Sequence, residues 1–306
     1  MNPERPRERE SDLEKAVEQG RRYLESEHQN GYFPSYISAS RDFSAPPQIS
    51  PRETFSTIVI ADTALKDHPD SEATRAALQY IENQKQQGQF TFFEDRTAYP
   101  PDTDINSLGY SVLIEAGRPI QEDANRMLDS ILAHRNEDGL VQVWLSHERQ
   151  NRIDPVVSAN ALYLAQLLGR GEEMRQTEQW LLETLRTGAY QSGTRYYQSP
   201  DSFLHFMGRL SKFPDLLDKT KAKLAEHLQQ RIGKTEYPLD LAMRAALADS
   251  LGIDNDSEKQ KLLRLQKQGG SWPADALFQY GSQRGYFGSK TLTTAFSIRA
   301  LESTGF

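Results

Sequence analysis

The chain has 306 residues, with 36 Lys and Arg against 43 Asp and Glu, so its formal net charge is −7. This acidic balance argues against non-specific nucleic-acid binding, and the absence of cysteine excludes disulfides, thiolate zinc sites and a cysteine nucleophile. No apolar run approaches the roughly 18 residues of a membrane span, and no charged-then-apolar leader is present. We therefore expect a soluble, cytoplasmic protein without an integral membrane segment.

The chain begins with a short charged segment and continues as a repeat. Residues 1–11 are charged and contain proline, which predicts a disordered tail. A glycine followed by aromatic residues then recurs at spacings of 57, 51 and 54 residues. These glycines are Gly31, Gly88, Gly139 and Gly193, with a further copy at Gly270. Length alone suggests two domains of ~150 residues, but a period of this size indicates stacked helical units. The prediction is a single closed domain over 12–306.

Each repeat predicts two helices. A polar amphipathic helix ends at the glycine, which suits the left-handed C′ position. We place these helices near 12–27, 71–86, 121–135, 172–187, 215–231 and 256–267. A more apolar helix follows and often opens at proline, which the first helical turn tolerates. We place this second set near 51–66, 103–116, 155–169, 200–213, 238–251 and 289–304.

The two sets of helices predict an all-α architecture. Small and apolar residues dominate the second set, so we expect an inner ring inside an outer one, an (α/α)6 barrel or toroid. Strand signals are nearly absent, because no hairpin dipeptide separates alternating apolar runs. The loops that lead into the inner helices should surround one mouth of a central cavity, where functional residues are expected.

Two carboxylates stand at that mouth. Pro101-Asp102-Thr103-Asp104 opens the second inner helix. One interpretation is structural, with an N-cap and a first-turn acid that complement the helix dipole. Asp154 and Asp240 also lie next to helix-opening prolines, and this recurrence favours capping. The other interpretation is an acid site, because burial and a neighbouring carboxylate both favour the protonated form.

Two motifs resemble those of a known superfamily. Lys267-Gln268-Gly269-Gly270-Ser271-Trp272 resembles the Gln/Trp repeat of squalene-hopene-type cyclases, and the Asp102–Asp104 segment resembles the start of the class II cyclase DxDD motif. From about residue 12 to 306 the chain is similar to the terpene cyclase/protein prenyltransferase toroid superfamily, in particular to the class II β domain. Ile105 replaces the third aspartate of the motif, as in small cyclases of the drimenyl diphosphate type. The prenyltransferase zinc site needs a cysteine, which this chain lacks.

The resemblance implies a class II-type terpene cyclase. Asp104 would protonate the terminal alkene of a linear farnesyl or geranylgeranyl diphosphate, or of another polyprenyl compound, with Asp102 and Asn106 positioning it. Aromatic rings of the mouth loops, Tyr197 among them, would stabilise the cation. The diphosphate would be retained, since nothing resembles the DDxxD motif of class I enzymes. No cofactor is required, and Mg²⁺ would enter only with the diphosphate. A homodimer or a partner domain would close the single domain.

The candidate substrate-binding residues lie at the mouth or at the starts of inner helices. Basic side chains suit a diphosphate, and aromatic rings suit a carbocation. The candidates are Arg52, Trp144, Arg195, Tyr196, His205, Phe278, Tyr280, Arg284, Tyr286 and Lys290. His205 follows Asp201 by four residues, which indicates either a polar pair facing the cavity or a cap beside a core histidine. We interpret the glycine–aromatic motifs as structural staples between repeats.

Two other functions fit the same fold. A glycan-active (α/α)6 hydrolase or lyase would pair Asp104 with Asp154, Asp201 or Asp240, since inverting hydrolysis needs carboxylates ~6.5–9.5 Å apart. A wide polar cleft with opposed acids would favour that function, and an aromatic pocket would favour terpene chemistry. A non-catalytic toroid that binds a lipid or a protein would use Asp102 and Asp104 only as a cap, and a blocked cavity would support it.

Overall fold

The computed structural model describes residues 6–146, 150–280 and 285–302, with the backbone alone for residues 6–11. Helices alternate between an outer and an inner ring. The outer helices are α1 (Pro6–Glu27), α3 (Glu72–Gln84), α5 (Gln121–Ala133), α7 (Arg175–Thr187), α9 (Pro214–Arg231) and α11 (Asp256–Leu265). The inner helices are α2 (Phe55–Ile60, continued by a π-helical turn, Ala61–Leu65), α4 (Thr103–Glu115), α6 (Pro155–Leu167), α8 (Pro200–Arg209), α10 (Pro238–Leu251) and α12 (Lys290–Leu301).

Burial separates the two rings. In α4 every residue from Thr103 to Leu113 is buried, whereas in α7 only one stripe of residues is. Neighbouring inner helices pack against each other in sequence order, and α12 returns to α2, so the ring is closed. Helices covered on all sides need small and apolar side chains, which explains the composition of the inner set. The predicted (α/α)6 toroid is confirmed.

The prediction that strands are nearly absent is wrong at the mouth. Four short strands, β1 (Tyr36–Ser38), β2 (Gln48–Ile49), β3 (Asp275–Gln279) and β4 (Tyr286–Ser289), form an antiparallel sheet in the order β2-β1-β4-β3. Strands of two to five residues are too short to show a clear alternating pattern. The sheet joins the first repeat to the last one.

The repeat glycines have a different local role from the predicted one. Gly31 lies four residues beyond the end of α1, in a tight turn in which both Asn30 and Gly31 have positive φ, 52° and 87°. Gln29 and Tyr32 pair across this turn, and Gly88 repeats the arrangement after α3. The left-handed conformation is therefore as predicted, but it belongs to a two-residue turn and not to a helix C′ position.

These turns pack against neighbouring outer helices, as structural staples would. A Cβ on Gly31 would lie 2.0 Å from the Ala76 carbonyl oxygen of α3, and one on Gly270 would lie 2.3 Å from the Gln19 carbonyl oxygen of α1. Trp272, next to the last turn, is fully buried and donates its indole N–H to the Leu262 carbonyl at 2.7 Å.

The N-terminal boundary also differs from the prediction. Helix α1 begins at Pro6 and not near residue 12, so the backbone of residues 6–11 is helical and does not belong to a tail. Residues 1–5 of the predicted tail lie outside the described residues. Across the described ranges, no helix has both the length and the apolar character needed to cross a bilayer.

The turn at Gly31 gives a stability prediction. Gly31→Ala should lower the free energy of unfolding by about 2–4 kcal/mol, because it combines left-handed strain with overlap against backbone that cannot yield. Gly117, at φ 72° with open space where a Cβ would lie, is the matched control. Gly117→Ala should cost only about 1 kcal/mol. Urea unfolding measures both, and equal losses would contradict the packing role of Gly31.

Candidate active site

The mouth of the toroid opens into a cavity of about 410 Å³. Its walls come from the starts of inner helices and from the loops before them, as the repeat predicts. Its lining residues are Phe55, Phe92, Phe93, Tyr99, Asp102, Asp104, Val143, Trp144, Gln150, Arg152, Val157, Arg195, Tyr196, Tyr197, Phe278, Gln279, Tyr280 and Phe287. Aromatic rings make up most of this lining, so the site is an aromatic pocket and not a wide polar cleft.

Ring-to-ring contacts hold the aromatic wall together. Phe278 and Phe287 stack at 4.9 Å between centroids, because β3 and β4 place them opposite each other. Phe55 of α2 meets Phe278 edge-on at 5.0 Å, and Tyr99 stacks on Trp144 at 5.8 Å. Such contacts fix ring orientation through the quadrupoles of the rings. The aromatic rings of the pocket wall are therefore held in fixed orientations by one another.

Asp102 is the N-cap of α4 and also lines the cavity. Its backbone is extended, and its Oδ1 accepts a hydrogen bond from the Ile105 N–H at 2.9 Å. Thr103 donates its N–H to the Val143 carbonyl at 2.8 Å, which ties the start of α4 to the loop before α6. The capping interpretation is confirmed for Asp102. Capping leaves its carboxylate at the cavity wall, so the two interpretations are compatible.

Asp104 is held from two other inner-ring units. Its Oδ1 accepts from the Asn160 Nδ2 of α6 at 2.8 Å, and its Oδ2 accepts from the Tyr197 hydroxyl at 2.5 Å. Tyr197 is fixed in turn, because its N–H and carbonyl both bond to Thr194. The carboxyl is thus oriented by donors on either side, at a buried point of the cavity wall.

Burial makes both carboxyls weak acids compared with exposed aspartate. Burial and then the charge of Asp104 raise the pKa of Asp102 to about 7. Burial raises the pKa of Asp104 to about 6, against the hydrogen bonds from Tyr197 and Asn160, which lower it. The donors to Asp104 stabilise the anion that forms when its proton leaves.

Five of the predicted substrate-binding residues meet at this cavity. Trp144 precedes α6, Arg195 and Tyr196 precede α8, and Phe278 and Tyr280 lie on or next to β3. The β3 backbone secures this part of the mouth, because the Gln279 N–H donates to the Tyr196 carbonyl at 2.8 Å.

Asn106 does not contact the acid, contrary to its predicted positioning role. Its side chain forms two hydrogen bonds with the Phe90 backbone, both at 2.9 Å, and donates a third to the Asp102 carbonyl. One turn beyond the N-cap, it faces the loop that follows the Gly88 turn. Asn106 therefore anchors a mouth loop and lies outside the cavity lining.

Four other predicted contacts also lie away from the cavity lining. Arg52 pairs with Glu94 at 3.0 Å, in an adjoining surface depression that shares Phe93 and Tyr280 with the cavity. His205 packs against the Phe296 ring at 5.1 Å in the core, where burial lowers its pKa well below the usual range. Tyr286 is a half-buried strand residue of β4, and Lys290 is exposed at the first position of α12. Arg284 lies outside the described residues.

The other acids of the glycan hypothesis are used structurally. Asp154 caps α6 through the Val156 and Val157 N–H groups, as predicted from its place beside Pro155. Asp201 binds Arg231 and Arg244, so it does not pair with His205 in the cavity. Asp240 binds Arg41, Ser199 and Thr235. None of the three is part of the cavity lining, so no opposed carboxylate faces Asp104 among the described residues.

Sequence reasoning did not select three residues of the site. Asn160 is a buried amide in an inner helix of small and apolar residues, and buried amides need partners, which is a usable signal. Arg152, two residues before the α6 cap, lines the cavity with its Nε buried and without a hydrogen-bond partner. Arg209, at the end of α8, donates to the Asn160 Oδ1 at 3.4 Å.

The described part of the chain holds no group of three or more His, Asp or Glu side chains that could hold a metal ion. Magnesium binding needs clustered oxygen ligands. No protein-held Mg²⁺ site fits these residues.

Comparison with known proteins gives a family match over about half of the chain. Residues 17–166 match the family described as the sesquiterpene cyclase astC-like C-terminal domain. The chain is 31% identical over 207 residues to drimenol cyclase drtB from Aspergillus calidoustus, covering 66% of this chain and 38% of that enzyme. The chain thus spans well under half the length of this curated relative.

Solved structures give the same fold. The type II terpene cyclase MstE from Scytonema has a TM-score of 0.72 at 12% identity, over 95% of this chain and 97% of that one. One MstE structure contains geranylgeranyl dihydroxybenzoate as its substrate. The ent-copalyl diphosphate synthase from Streptomyces platensis has a TM-score of 0.57 at 16% identity, over 85% of this chain and 52% of that one.

The chain has the class II terpene cyclase-like fold. Within that class, its sequence matches the astC-like C-terminal domain and a drimenol cyclase, both of which are described as cyclases.

The raised pKa of Asp104 predicts a pH-dependent stability. The folded state binds the Asp104 proton more tightly than the unfolded state does. This contribution to the free energy of unfolding is fully present below about pH 4 and is lost as the pH rises through the folded pKa of about 6. Asp104→Asn removes this loss. Its free energy of unfolding, relative to wild type, should therefore increase by about 2 kcal/mol between pH 4 and pH 8.

Urea unfolding at both pH values measures the effect. Glu72, an exposed acid in the first turn of α3, is the control, and Glu72→Gln should show no such increase. A pH-independent difference for Asp104→Asn would mean that folding does not raise the pKa of Asp104.

Proposed function

We propose that this chain is a class II-type terpene cyclase domain in which Asp104 protonates the terminal alkene of a linear prenyl substrate. The observation that carries the proposal is the Asp104 carboxyl, buried in an aromatic pocket between an amide and a phenol donor. An alkene is a weak base, so its protonation needs an undissociated acid in a site that excludes water. The raised pKa values of Asp102 and Asp104 supply the undissociated form near neutral pH.

In the initiating step, the O–H bond of Asp104 breaks and a C–H bond forms at the terminal alkene carbon. The alkene supplies the electron pair, and the neighbouring carbon becomes a tertiary cation. Asp104 becomes a carboxylate, which Asn160 and Tyr197 stabilise through their hydrogen bonds. Both carboxyls are protonated before the step, and Asp102, whose pKa is also raised, keeps its own proton, so the pair carries a single negative charge after the transfer.

The aromatic wall suits the steps that follow. Ring faces attract a cation by about 0.5–2 kcal/mol each when water is excluded. Phe278, Phe287 and Phe92 form one such cluster, with centroids 4.9–5.9 Å apart. As internal alkenes attack in turn, the positive charge moves along the chain past these rings. The final cation is discharged by loss of a proton or by addition of water.

An anionic head group on the substrate fits the cavity rim. Arg152 and Arg195 line the cavity. The planar guanidinium group suits a phosphate or a carboxylate, to which it can donate two hydrogen bonds. We therefore propose a farnesyl or geranylgeranyl diphosphate, with the diphosphate retained. The substrate of MstE carries a benzoate, which is also an anion. Any Mg²⁺ would be bound by the diphosphate itself.

The proposal covers the cyclisation step alone. Because the chain spans 38% of the drimenol cyclase it resembles, the remaining activity of that enzyme is not carried over. We propose a small isoprenoid as the only substrate of this domain.

Incubation with farnesyl and geranylgeranyl diphosphate, each with and without Mg²⁺, tests the proposal. Products are dephosphorylated and analysed by gas chromatography–mass spectrometry. Wild type should give cyclic alcohols, and Asp104→Asn should reduce their rate of formation at least ~10³-fold, because no proton donor replaces the carboxyl. Asp249→Asn is the control for a partly buried aspartate away from the cavity, since Asp249 pairs with Lys259, and it should retain activity. Linear alcohols throughout would refute the function.

The head-group assignment has its own test. Arg152→Gln should raise KM for the diphosphate substrate about 10-fold or more, with kcat less affected, because the charge-assisted contact is made before and during the reaction. The matched variant is Arg52→Gln, since Arg52 lies outside the cavity lining and pairs with Glu94. An unchanged KM for Arg152→Gln would place the head group elsewhere.

A further inference from the structure

A charged cluster, buried except for the Lys212 side chain, lies at the end of the inner ring opposite the mouth. Its members come from the C-terminal ends of four inner helices and the segments that follow them. They are Asp62, Lys66, Glu115, Tyr163, Arg209 and Lys212. Three cations face two carboxylates, so the cluster carries a net positive charge. Burial alone would raise the pKa of Glu115, but Lys66 and Lys212 lower it to about 2.

Arg209 connects this cluster to the acid. Its Nη2 binds the Asp62 carboxylate at 2.9–3.0 Å, and its guanidinium lies 4.3 Å above the Tyr163 ring. Its Nη1 donates to the Asn160 Oδ1 at 3.4 Å, and Asn160 donates to Asp104. Asp62 lies in the π-helical turn that follows α2. Turns of this kind change the direction of side chains and often occur at functional sites.

The amide of Asn160 has one orientation that satisfies both neighbours. Arg209 has only donors, so it requires the amide oxygen, and this leaves the amide nitrogen for Asp104. If Arg209 were absent, the amide could rotate and offer its oxygen to a protonated carboxyl, which would stabilise the acid form. Arg209 thus makes the Asn160 amide favour the ionised form of Asp104.

We propose that Arg209 is a positioning residue for the acid, acting through Asn160 to orient the Asp104 carboxyl and to stabilise the carboxylate left after proton transfer. This inference rests on the proposed function for its catalytic meaning, but its electrostatic part can be measured without turnover. The other charged or titratable groups acting on Asp104 are Asp102, Asp154 and Tyr197. None of them is cationic, whereas Arg209 is a positive charge that lowers the pKa of Asp104. Arg152 and Arg195 line the same cavity.

Two substitutions should shift the pKa of Asp104 in opposite directions. Arg209→Met removes a positive charge and frees the amide, so the pKa should rise by about one unit. Asp62→Asn leaves the Arg209 charge uncompensated, so the pKa should fall. Loss of packing alone would not produce shifts of opposite sign. The pKa is measured by ¹³C NMR titration of the full chain labelled at aspartate carboxyls, with Asp104→Asn assigning the resonance.

Turnover provides a second readout. Protonated Asp104 is the active form, so the rate falls as the pH rises through its pKa. Arg209→Met should move this descending limb to higher pH and lower the maximal kcat by up to ~10-fold, because an acid weaker by one pKa unit transfers its proton more slowly. Asp62→Asn should move the limb to lower pH.

Arg244→Met is the matched control. Arg244 is a buried arginine of α10 that binds Asp201 and Glu258 and has no contact with Asn160. This variant should leave both the Asp104 titration and the descending limb unchanged. If Arg209→Met does not fold, Asp62→Asn alone tests the inference by the sign of its shift. An Asp104 pKa that is unchanged or rises in Asp62→Asn would overturn it. A wild type without cyclic products would refute the proposed function separately.

Discussion

Closure of the ring is the constraint on which the rest of this structure depends. Helix α12 packs against α10, α2 and α1, which brings the last repeat onto the first. Gly20 lets α1 approach this seam, since a Cβ there would lie 2.9 Å from the Ile298 side chain. Trp272 fills the seam and bonds to α11. Because the ring is closed, the N-terminal ends of the inner helices face one mouth, and residues far apart in sequence reach the same cavity.

Two opposing effects set the pKa values of the two site aspartates, and closure of the ring makes burial the larger one. The N-terminus of α4 favours a carboxylate, through its free N–H groups and dipole. Burial favours the neutral acid, because a charge loses solvation in a pocket walled by aromatic rings. At both Asp102 and Asp104, burial is the larger effect and the pKa is raised. An aspartate that would be an ordinary capping group on an exposed helix is shifted here toward its protonated form.

Aspartates that lie close to helix-opening prolines have different roles in different repeats. Asp154, Asp201 and Asp240 also stand beside helix-opening prolines. Asp154 is held by backbone N–H groups, whereas Asp201 and Asp240 are held by arginines. Only where a repeat places its acid against the aromatic cavity does the carboxyl meet space for a ligand. The catalytic hypothesis therefore depends on the surroundings of Asp104 and not on its local sequence.

The sequence by itself determined the repeat, the alternation of outer and inner helices and the position of Asp102 and Asp104 at the mouth. These features are encoded locally, by turn glycines, helix-opening prolines and the composition of each helix. Only the tertiary structure decided that Asn160 and Tyr197, 56 and 93 residues from Asp104, hold its carboxyl, and that Asn106 anchors a loop. It also decided the short mouth sheet and the link through Arg209. Contacts between repeats depend on how the ring closes, and no local pattern records which side chains closure brings together.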